Sequence, residues 1–347
     1  MKKKPNLYNL SLDEMIALYE TWGEPAFRAT QTWEWLYQHL ITDPDKMTSL
    51  SKSLRTRLAE ETTLELPTVL ARQESIDGET RKDLLELSDG ATIEVILMRY
   101  IDRRSACLST QVGCAVGCRF CATGQMGFKR QLRSGEIIAQ VLHLMRELKS
   151  QDQKLTNIVL MGMGEPLLNY DNTLAAIRCM IHPKGMAIGQ RRITLSTAGI
   201  APGIRRFAKE DLQVNLAVSL HAATDELRSD LMPVNRRYNL NELFSVVQGY
   251  IDRTNRQVTF EWVLIEDVND TEEQALALAA RVSGMLAHVN LIPLNPTTGF
   301  SGRPSSPEHI EVFTNILDRR HISYSLRLRR GIDISAGCGQ LRERQQT

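Results

Sequence analysis

Apolar positions in residues 11–62 recur every three to four residues, which is the spacing of amphipathic helices. The positions are Leu12, Met15, Ile16, Tyr19, Trp33, Leu36, Tyr37, Leu40, Leu54 and Leu58. This pattern predicts a small helical domain, to which we assign residues 1–66. Such a domain is either a structural appendage or a docking module for a macromolecular substrate.

The following segment, residues 67–100, consists of strand-favouring runs separated by Asp77-Gly78 and Asp89-Gly90. Asp-Gly is preferred in tight hairpin turns in which both central residues have positive φ. The segment therefore predicts a short antiparallel β-meander that extends the main domain.

From Arg104 onward, strand-like apolar runs alternate with helix-like segments. The runs are ACLST, NIVLMG, RRITLST, VNLAVSL, VTFEWVLI and HVNLIPL, which begin near residues 106, 157, 191, 214, 258 and 288. Repeated strand–helix units imply a parallel sheet with right-handed crossovers. We expect residues 101–347 to form an α/β domain, a partly open barrel of six strands.

Polar residues follow these strands where each one ends, and in α/β barrels the chemistry lies at the carboxyl ends of the strands. They are Cys114, Cys118 and Cys121 after the first strand, Gly164 and Glu165 after the second, Ser196 at the third, Ser219, Leu220 and His221 at the fourth, and Asn295 after the sixth. The barrel rule therefore predicts that these residues meet on one rim.

Composition and charge exclude several classes of protein. With 42% apolar and 24% charged residues, the chain has the make-up of a globular protein, and its net charge of +1 gives no reason to invoke nucleic acid. Arginines cluster in residues 189–206 and 317–331, where they form either a solvated face or a binding surface for phosphates.

No apolar run reaches the length of a membrane-spanning helix, about 18 residues or more. We expect a cytoplasmic monomer, whose thiols serve metal binding or catalysis in that reducing compartment.

Three of the six cysteines, Cys114, Cys118 and Cys121, form a C-x3-C-x2-C pattern in a loop that contains several glycines. Thiolates are ligands of iron–sulfur clusters and of structural zinc. A closed zinc site needs four ligands, and the nearest downstream histidine is His143. Three cysteines on one loop are more typical of a [4Fe-4S] cluster with one iron open to a small molecule. A zinc-stabilised RNA-binding module without catalysis is the alternative.

The cysteine pattern, with Phe120 between the second and third cysteine, resembles the motif of the radical S-adenosylmethionine (SAM) superfamily. The chain is also similar to one family within it, the RlmN/Cfr family of RNA adenine methyltransferases, from about residue 10 to 345. The segments that carry the similarity are STQVGCAVGCRFCATGQMGFKR, MGMGEPLLN, ITLSTAG, LAVSLHA, VNLIPLNP and GIDISAGCGQL.

The resemblance implies two cofactors and assigns residues to each. It implies a [4Fe-4S] cluster held by Cys114, Cys118 and Cys121. It implies SAM bound by Gly164, Glu165, Ser196, Ser219, Leu220, His221 and Asn295, with Glu165 at the cofactor's amino group. Without the resemblance, His221 is typical of a core histidine with its hydrogen bonds satisfied.

The resemblance also implies a mechanism that uses two SAM molecules per turnover. Cys338 is methylated by the first, and a radical from the second removes hydrogen from that methyl group, after which the carbon adds to adenine. Glu94 is implied as the base that removes the ring proton. Cys107 is implied as the thiol that releases the product by forming a disulfide with Cys338.

The function implied is methylation of C2 of adenosine in 23S ribosomal RNA and in tRNA, which is the housekeeping activity of the family. The alternative is methylation of C8 of the same ribosomal adenosine, the Cfr-type resistance activity, because both branches share these motifs. The resemblance further implies an electron donor such as flavodoxin or ferredoxin. Candidates for holding the RNA backbone are Lys129-Arg130, Arg191-Arg192 and the arginines of residues 327–330, together with the helical domain.

Overall fold

The N-terminal part of the chain folds into three helices in the computed structural model, which describes residues 4–327. The helices are α1 (Leu12–Thr21), α2 (Ala26–Tyr37) and α3 (Lys52–Glu61). Ser11 begins α1 with a capping box, in which its hydroxyl accepts from the Glu14 amide and Glu14 accepts from the Ser11 amide. Met15, Trp33 and Leu54 lie on the inner faces of these helices and are buried. Their burial accounts for the apolar spacing from which the helices were predicted.

The meander that follows consists of three antiparallel strands, β1 (Thr68–Glu74), β2 (Thr80–Glu86) and β3 (Thr92–Arg99). Its two turns differ from the expectation. Gly78 and Gly90 have φ of +68° and +79°, but Asp77 and Asp89 are not among the residues with positive φ. Each glycine amide closes a four-residue turn, with Gly78 donating to the Ser75 carbonyl at 2.8 Å. Only the glycine occupies the left-handed region, so the expectation that both residues of each pair have positive φ was wrong.

The main domain continues the same sheet, because β4 pairs with β3 on one side and begins a parallel set on the other. The parallel strands are β4 (Arg104–Cys107), β7 (Asn157–Leu160), β8 (Ile193–Thr197), β9 (Asn215–Ser219), β10 (Val258–Leu264), β11 (Ala287–Pro293) and β12 (Tyr324–Leu326). The first six are those that the sequence predicts, and the partly open α/β barrel is confirmed. The short β12 adds a seventh parallel strand beside β11.

Two further strands, β5 (Gln111–Gly113) and β6 (Phe128–Gln131), form a separate hairpin after β4. The remaining helices are α4 (Ala122–Gln125), α5 (Ser134–Ser150), α6 (Tyr170–Ile181), α7 (Ala201–Phe207), α8 (Asp225–Leu231), α9 (Leu240–Thr254), α10 (Glu272–Val282) and α11 (Pro307–Arg319). Within residues 4–327, every helix is too short or too polar to serve as a membrane-spanning segment.

The two faces of the barrel sheet differ in polarity. Ile193, Leu216 and Phe260 belong to one face and are buried in the core with the helices. Strand register places Cys107, Thr194, Ser196, Ser219, Glu261 and Asn290 on the opposite face, which we call the inner face. The inner face is therefore the polar lining of the barrel. We call the edge formed by the carboxyl ends of the parallel strands the carboxyl rim.

The helical domain is seated on α5. The Gly135 amide donates to Asn9 Oδ1 at 3.0 Å, and Arg146 donates to the Tyr8 hydroxyl at 3.3 Å. A Cβ on Gly135 would lie 2.9 Å from the Tyr8 carbonyl carbon, so the close approach of the two backbones requires glycine there. The helical domain is thus held against the outside of the barrel.

Candidate active site

The three clustered cysteines lie in residues 114–127, the connection between β5 and β6. The Cys114 amide donates to the Gly127 carbonyl at 3.0 Å, which closes this loop at its base. A Cβ on Gly113 would overlap the Gly127 carbonyl, and a Cβ on Gly124 would lie 2.8 Å from the Cys118 carbonyl oxygen. The glycines therefore allow the backbone to wrap tightly around the thiols.

The donor set at this loop consists of three thiols. A closed structural zinc site takes four ligands, whereas thiolates are the usual ligands of iron–sulfur clusters. The donor set therefore fits an iron–sulfur cluster with three protein ligands.

Burial and mutual proximity control the protonation of these thiols. Burial raises the pKa of Cys114 to about 12, and the charges of Glu165 and Cys121 act in the same direction. Burial also raises the pKa of Cys118 well above its ordinary value, and the charges of Cys121 and Cys114 raise it further. Without a metal these thiols are neutral, so metal binding must displace their protons.

The cysteine loop is attached to the strands opposite it. The Arg119 amide donates to the Leu231 carbonyl at the end of α8, at 3.0 Å. The ring of Phe120 packs edge to face against the ring of His221, with centroids 4.9 Å apart. Gln125 donates to the Thr297 hydroxyl, which follows β11, at 3.0 Å. The loop is thus fixed over the carboxyl rim from both sides.

Gly164 and Glu165 lie against β5, the strand that leads into this loop. Gly164 has a φ of +106°, and a Cβ there would lie 2.5 Å from Gln111 Cβ and 2.6 Å from the Gln111 amide nitrogen. The Glu165 amide donates to Gln111 Oε1 at 2.9 Å. Only glycine at position 164 lets the turn after β7 approach β5 so closely.

The Glu165 carboxylate is buried and spans two strand ends. It accepts from the Leu167 amide at 2.9 Å and from the Ala198 amide, after β8, at 2.6 Å. Burial raises its pKa to about 7, and these amides lower it. No basic side chain of residues 4–327 forms an ion pair with it. A cationic ligand is therefore the partner that this carboxylate would favour.

His221 occupies a left-handed backbone position, with a φ of +60°, immediately after β9. Its Nδ1 accepts from the Val263 amide of β10 at 2.9 Å, and its carbonyl accepts from Asn269 at 2.7 Å. Burial, and then the charge of Arg228, lower the pKa of the imidazole to about 3. The ring is therefore neutral with its proton on Nε2, a donor at the carboxyl rim.

The remaining cofactor candidates reach the same rim. Ser196 lies on the inner face of β8 and is 9% exposed, and Ser219 occupies the corresponding face of β9. The Leu220 amide donates to the Glu261 carbonyl at 3.0 Å, continuing the β9–β10 ladder. Asn295 is partly exposed, two residues beyond the end of β11. The structure thus brings the predicted cofactor residues to one edge of the sheet.

The two other predicted catalytic residues in the described part share the inner face. Cys107, at the end of β4, lies opposite Ile96 of β3, and Glu94 is two residues from Ile96 on the same strand. Both are buried, with exposures of 6% and 2%. Cys338 lies outside the described residues. Glu94 and Cys107 are therefore neighbours at the end of the barrel that carries the cysteine loop.

Three charged residues of this region were not predicted from the sequence. Arg228 of α8 is fully buried and donates to the carbonyls of Ala198, Ser219 and Leu220, joining two strand ends. Burial lowers its pKa to about 10, so it remains charged at neutral pH. Glu261 accepts from Asn290 at 3.1 Å on the inner face, and its presence within the apolar run VTFEWVLI was the available signal. The third, Lys82, pairs with Glu94 at 3.2 Å.

The candidate RNA-binding arginines are separated. Arg130 pairs with Asp89 at 2.7 Å and with Glu136 at 2.9 Å, so its charge is balanced within the fold. Lys129 is exposed beside it. Arg191 and Arg192 are exposed but precede β8, at the opposite end of the barrel from the cysteine loop. Arg327 is exposed after β12, and residues 328–330 lie outside the described part.

Two protein-family models match different parts of the chain. The model of the radical SAM superfamily matches residues 108–279. The model described as the ribosomal RNA large subunit methyltransferase N-terminal domain matches residues 5–64. The first match contains the cysteine loop, Glu165 and His221, and the second contains the three N-terminal helices.

Known proteins resemble the chain over almost its whole length. It is 47% identical to dual-specificity RNA methyltransferase RlmN 1 of Myxococcus xanthus, over 97% of this chain and 94% of that protein. It is 44% identical to a probable dual-specificity RNA methyltransferase RlmN of Dictyoglomus thermophilum, over 97% and 96%. The crystal structure of a radical SAM methyltransferase from Sphaerobacter thermophilus superimposes with a TM-score of 0.93 at 48% identity, covering 97% and 98% of the two chains.

Proposed function

The chain belongs to the RlmN family of radical SAM RNA methyltransferases, and we propose that it methylates C2 of adenosine in 23S ribosomal RNA and in tRNA. One observation carries the proposal. The three-thiol loop and Glu165 meet at the carboxyl rim, while Glu94 and Cys107 lie on the adjoining inner face. The residues proposed to support radical generation and those proposed to act on the adenine ring are thus neighbours within one barrel.

The cofactors are a [4Fe-4S] cluster and SAM, as in the radical SAM superfamily. In our proposal Cys114, Cys118 and Cys121 hold the cluster. The cluster and SAM together supply a carbon-centred radical, which an electron-poor ring carbon requires because it offers no lone pair for polar methylation. The protein's part is to bind, orient and exclude water around these groups.

The proposed cofactor pocket matches the charges of SAM. Glu165, a buried carboxylate with no basic partner in the described residues, would receive the ammonium group. Neutral His221 would donate from Nε2, and Gly164 permits the close approach of ligand to backbone. The inner-face hydroxyls of Ser196 and Ser219, the backbone at Leu220 and the amide of Asn295 complete the proposed set.

The substrate end of the site needs a base and a thiol. We assign proton removal from the attacked ring carbon to Glu94, and the unpaired electron that radical addition leaves on the ring would return to the cluster as a one-electron acceptor. Cys338 is the proposed methyl carrier, assigned from sequence alone. Cys107 then attacks the sulfur of Cys338, the carbon–sulfur bond breaks with its electron pair passing to the new methyl carbon, and that carbon takes a proton. The disulfide that remains must be reduced by a thiol reductant before the next turnover.

We assign RNA docking to residues 1–66, with residues 67–100 as the meander extension and 101–347 as the catalytic barrel and C-terminal segment. The helical domain is fixed on α5 through Tyr8 and Asn9, so it could hold RNA in a constant orientation to the barrel. We further propose a monomer that works in the cytoplasm and receives electrons from a flavodoxin or ferredoxin.

Nucleoside analysis by mass spectrometry tests the proposal. An unmodified ribosomal RNA fragment and a tRNA would be incubated anaerobically with cluster-reconstituted protein, SAM and a reductant. Formation of 2-methyladenosine supports the proposal, whereas 8-methyladenosine would assign the Cfr-type activity. A colourless protein that binds about one zinc and leaves adenosine unmethylated would support the non-catalytic module instead.

A further inference from the structure

Lys82 and Glu94 form an ion pair in the interior of the protein. Lys82 Nζ lies 3.2 Å from Glu94 Oε2, and the two side chains are 0% and 2% exposed. Lysine and glutamate are rarely buried this fully, because removing their charges from water is costly. A position that retains both charges at such depth needs a reason beyond packing.

Strand register places the pair beside the proposed releasing thiol. Lys82 of β2 lies opposite Ile96 of β3, and Ile96 lies opposite Cys107 of β4. Because side chains two residues apart on a strand share a face, Glu94 points to the same side as Ile96. Lys82, Glu94 and Cys107 therefore line one side of the sheet, with Glu94 nearest the carboxyl rim.

Glu94 is also tied to the turn that carries Glu165. The Ser109 hydroxyl donates to the Glu94 carbonyl at 2.6 Å and accepts from the Met163 amide at 3.0 Å. Met163 is two residues before Glu165. The backbone of Glu94 is thereby held at a fixed position relative to the proposed cofactor pocket, and its carboxylate pairs with Lys82.

The charged neighbours of Lys82 in sequence serve a different purpose. Arg81 and Asp83 point to the opposite face of β2, where Asp83 accepts from His143 of α5 at 2.7 Å and from Arg72 at 2.8 Å. That network attaches the meander to α5. Lys82 takes no part in it, because alternation along the strand directs its side chain to the other face.

We infer that Lys82 is a positioning residue that orients the Glu94 carboxylate for proton removal, an inference that rests on the proposed function. A general base must lie within hydrogen-bond reach of the proton that it abstracts, so the direction of its carboxylate matters. The Lys82 ammonium group, 3.2 Å from Glu94 Oε2, sets that direction. In the step itself the ring proton passes to Glu94, and the electron pair of the broken C–H bond stays on the ring. Among residues 4–327, the titratable groups that adjoining strands turn towards Glu94 include Lys82 from β2 and Cys107 from β4.

The test compares Lys82→Met and Lys82→Arg with the wild type in single-turnover assays of the reconstituted holoenzyme. Methylated adenosine and protein covalently linked to RNA are both measured. We expect Lys82→Met to form product roughly 100-fold more slowly at pH 7 and to accumulate the covalent adduct, since a general base contributes about 10²–10⁴-fold. Lys82→Arg, which keeps the charge, should stay within about threefold of the wild type.

Three controls separate this inference from loss of folding and from failure of the proposed function. Iron content and 5′-deoxyadenosine formation should be unchanged in Lys82→Met. Should that variant unfold, Lys82→Gln retains a hydrogen-bond donor without the charge and should show the same accumulation of adduct. Release of RNA at the wild-type rate by either uncharged variant, or a Lys82→Arg variant as slow as Lys82→Met, overturns the role of Lys82. A wild-type protein that forms 5′-deoxyadenosine but no methylated adenosine overturns the proposed function, and the inference with it.

Discussion

The rings of Phe120 and His221 meet edge to face, with their planes at 78° and their centroids 4.9 Å apart. The contact joins the cysteine loop to the end of β9, more than 90 residues further along the chain. Since His221 is in turn bonded to Val263 of β10, one imidazole connects the proposed cluster loop with two strands of the barrel.

His221→Asn should preserve the fold and weaken SAM binding. Asparagine tolerates the left-handed backbone at this position and can offer an oxygen to the Val263 amide, but it lacks the ring and its Nε2 donor. His221→Val should lose about 2–4 kcal/mol of unfolding free energy, because a β-branched residue is strained there and the amide loses its acceptor. Thermal unfolding and equilibrium dialysis with SAM measure both effects. Equal destabilisation by the two substitutions would contradict this account.

Glu165→Gln should abolish SAM binding and flatten the pH dependence of stability. Burial raises the pKa of Glu165 from 4.5 to about 7, so the folded protein holds this proton more tightly than the unfolded chain. The resulting stabilisation is complete below about pH 4.5 and is lost as the pH rises through about 7. It amounts to about 3 kcal/mol, or about 4 °C in Tm for a chain of this length.

The measurement is the difference in Tm of cluster-free protein between pH 5.5 and pH 8. We expect a smaller difference in Glu165→Gln than in the wild type. Glu272→Gln, at an exposed position at the start of α10, is the matched control and should leave the difference unchanged. An unaltered slope in Glu165→Gln would argue against the buried, proton-binding carboxyl group.

Cys107→Ala should trap RNA on the protein, because the proposed releasing thiol is removed while the proposed methyl carrier remains. Denaturing gel electrophoresis of a single-turnover mixture detects the adduct. Cys179→Ala is the control, since Cys179 has the same 6% exposure but lies on α6, away from the inner face. Free turnover by Cys107→Ala would remove Cys107 from the mechanism, and Cys338→Ala should form neither adduct nor product.

Gly164→Ala should destabilise the turn after β7 by about 2–4 kcal/mol, through backbone strain and the clash with Gln111. Gly284→Ala provides the comparison, because Gly284 also has a positive φ, +75°, but a Cβ there meets nothing within 4 Å. Gly284→Ala should therefore lose only the unfolding free energy that backbone strain costs, about 1 kcal/mol. Urea unfolding of both variants measures the difference, and equal losses would mean that the close approach to Gln111 contributes nothing.

Metal analysis should find about four irons per anaerobically purified chain and little zinc. Cys118→Ala should lose the iron and the brown colour, whereas Cys179→Ala should keep both. The reason is that the proposed cluster has three protein ligands at this loop, and Cys118 is one of them. Zinc at about one per chain in the wild type would contradict the cluster assignment.

The order of strands and helices could be predicted because it is encoded in local periodicity. The barrel strands from β4 to β11 follow apolar runs, and the rule that chemistry lies at carboxyl ends located the cysteine loop, Glu165 and His221 together. β12 was missed because its three residues, Tyr324–Leu326, lie in an arginine-rich segment without apolar alternation. Its strand conformation comes from pairing with β11.

The sequence by itself determined the cysteine spacing, the identity of the chemical groups and the end of the sheet on which they appear. Only the tertiary structure decided which charged side chains form ion pairs, and with which partners. Arg130 had been a candidate for RNA but is paired with Asp89 and Glu136, whereas Lys82, unremarkable in the string TRKD, is buried against Glu94. Periodicity specifies the face on which a side chain lies, but its partner depends on the register between strands that are distant in sequence, and no local pattern encodes that register.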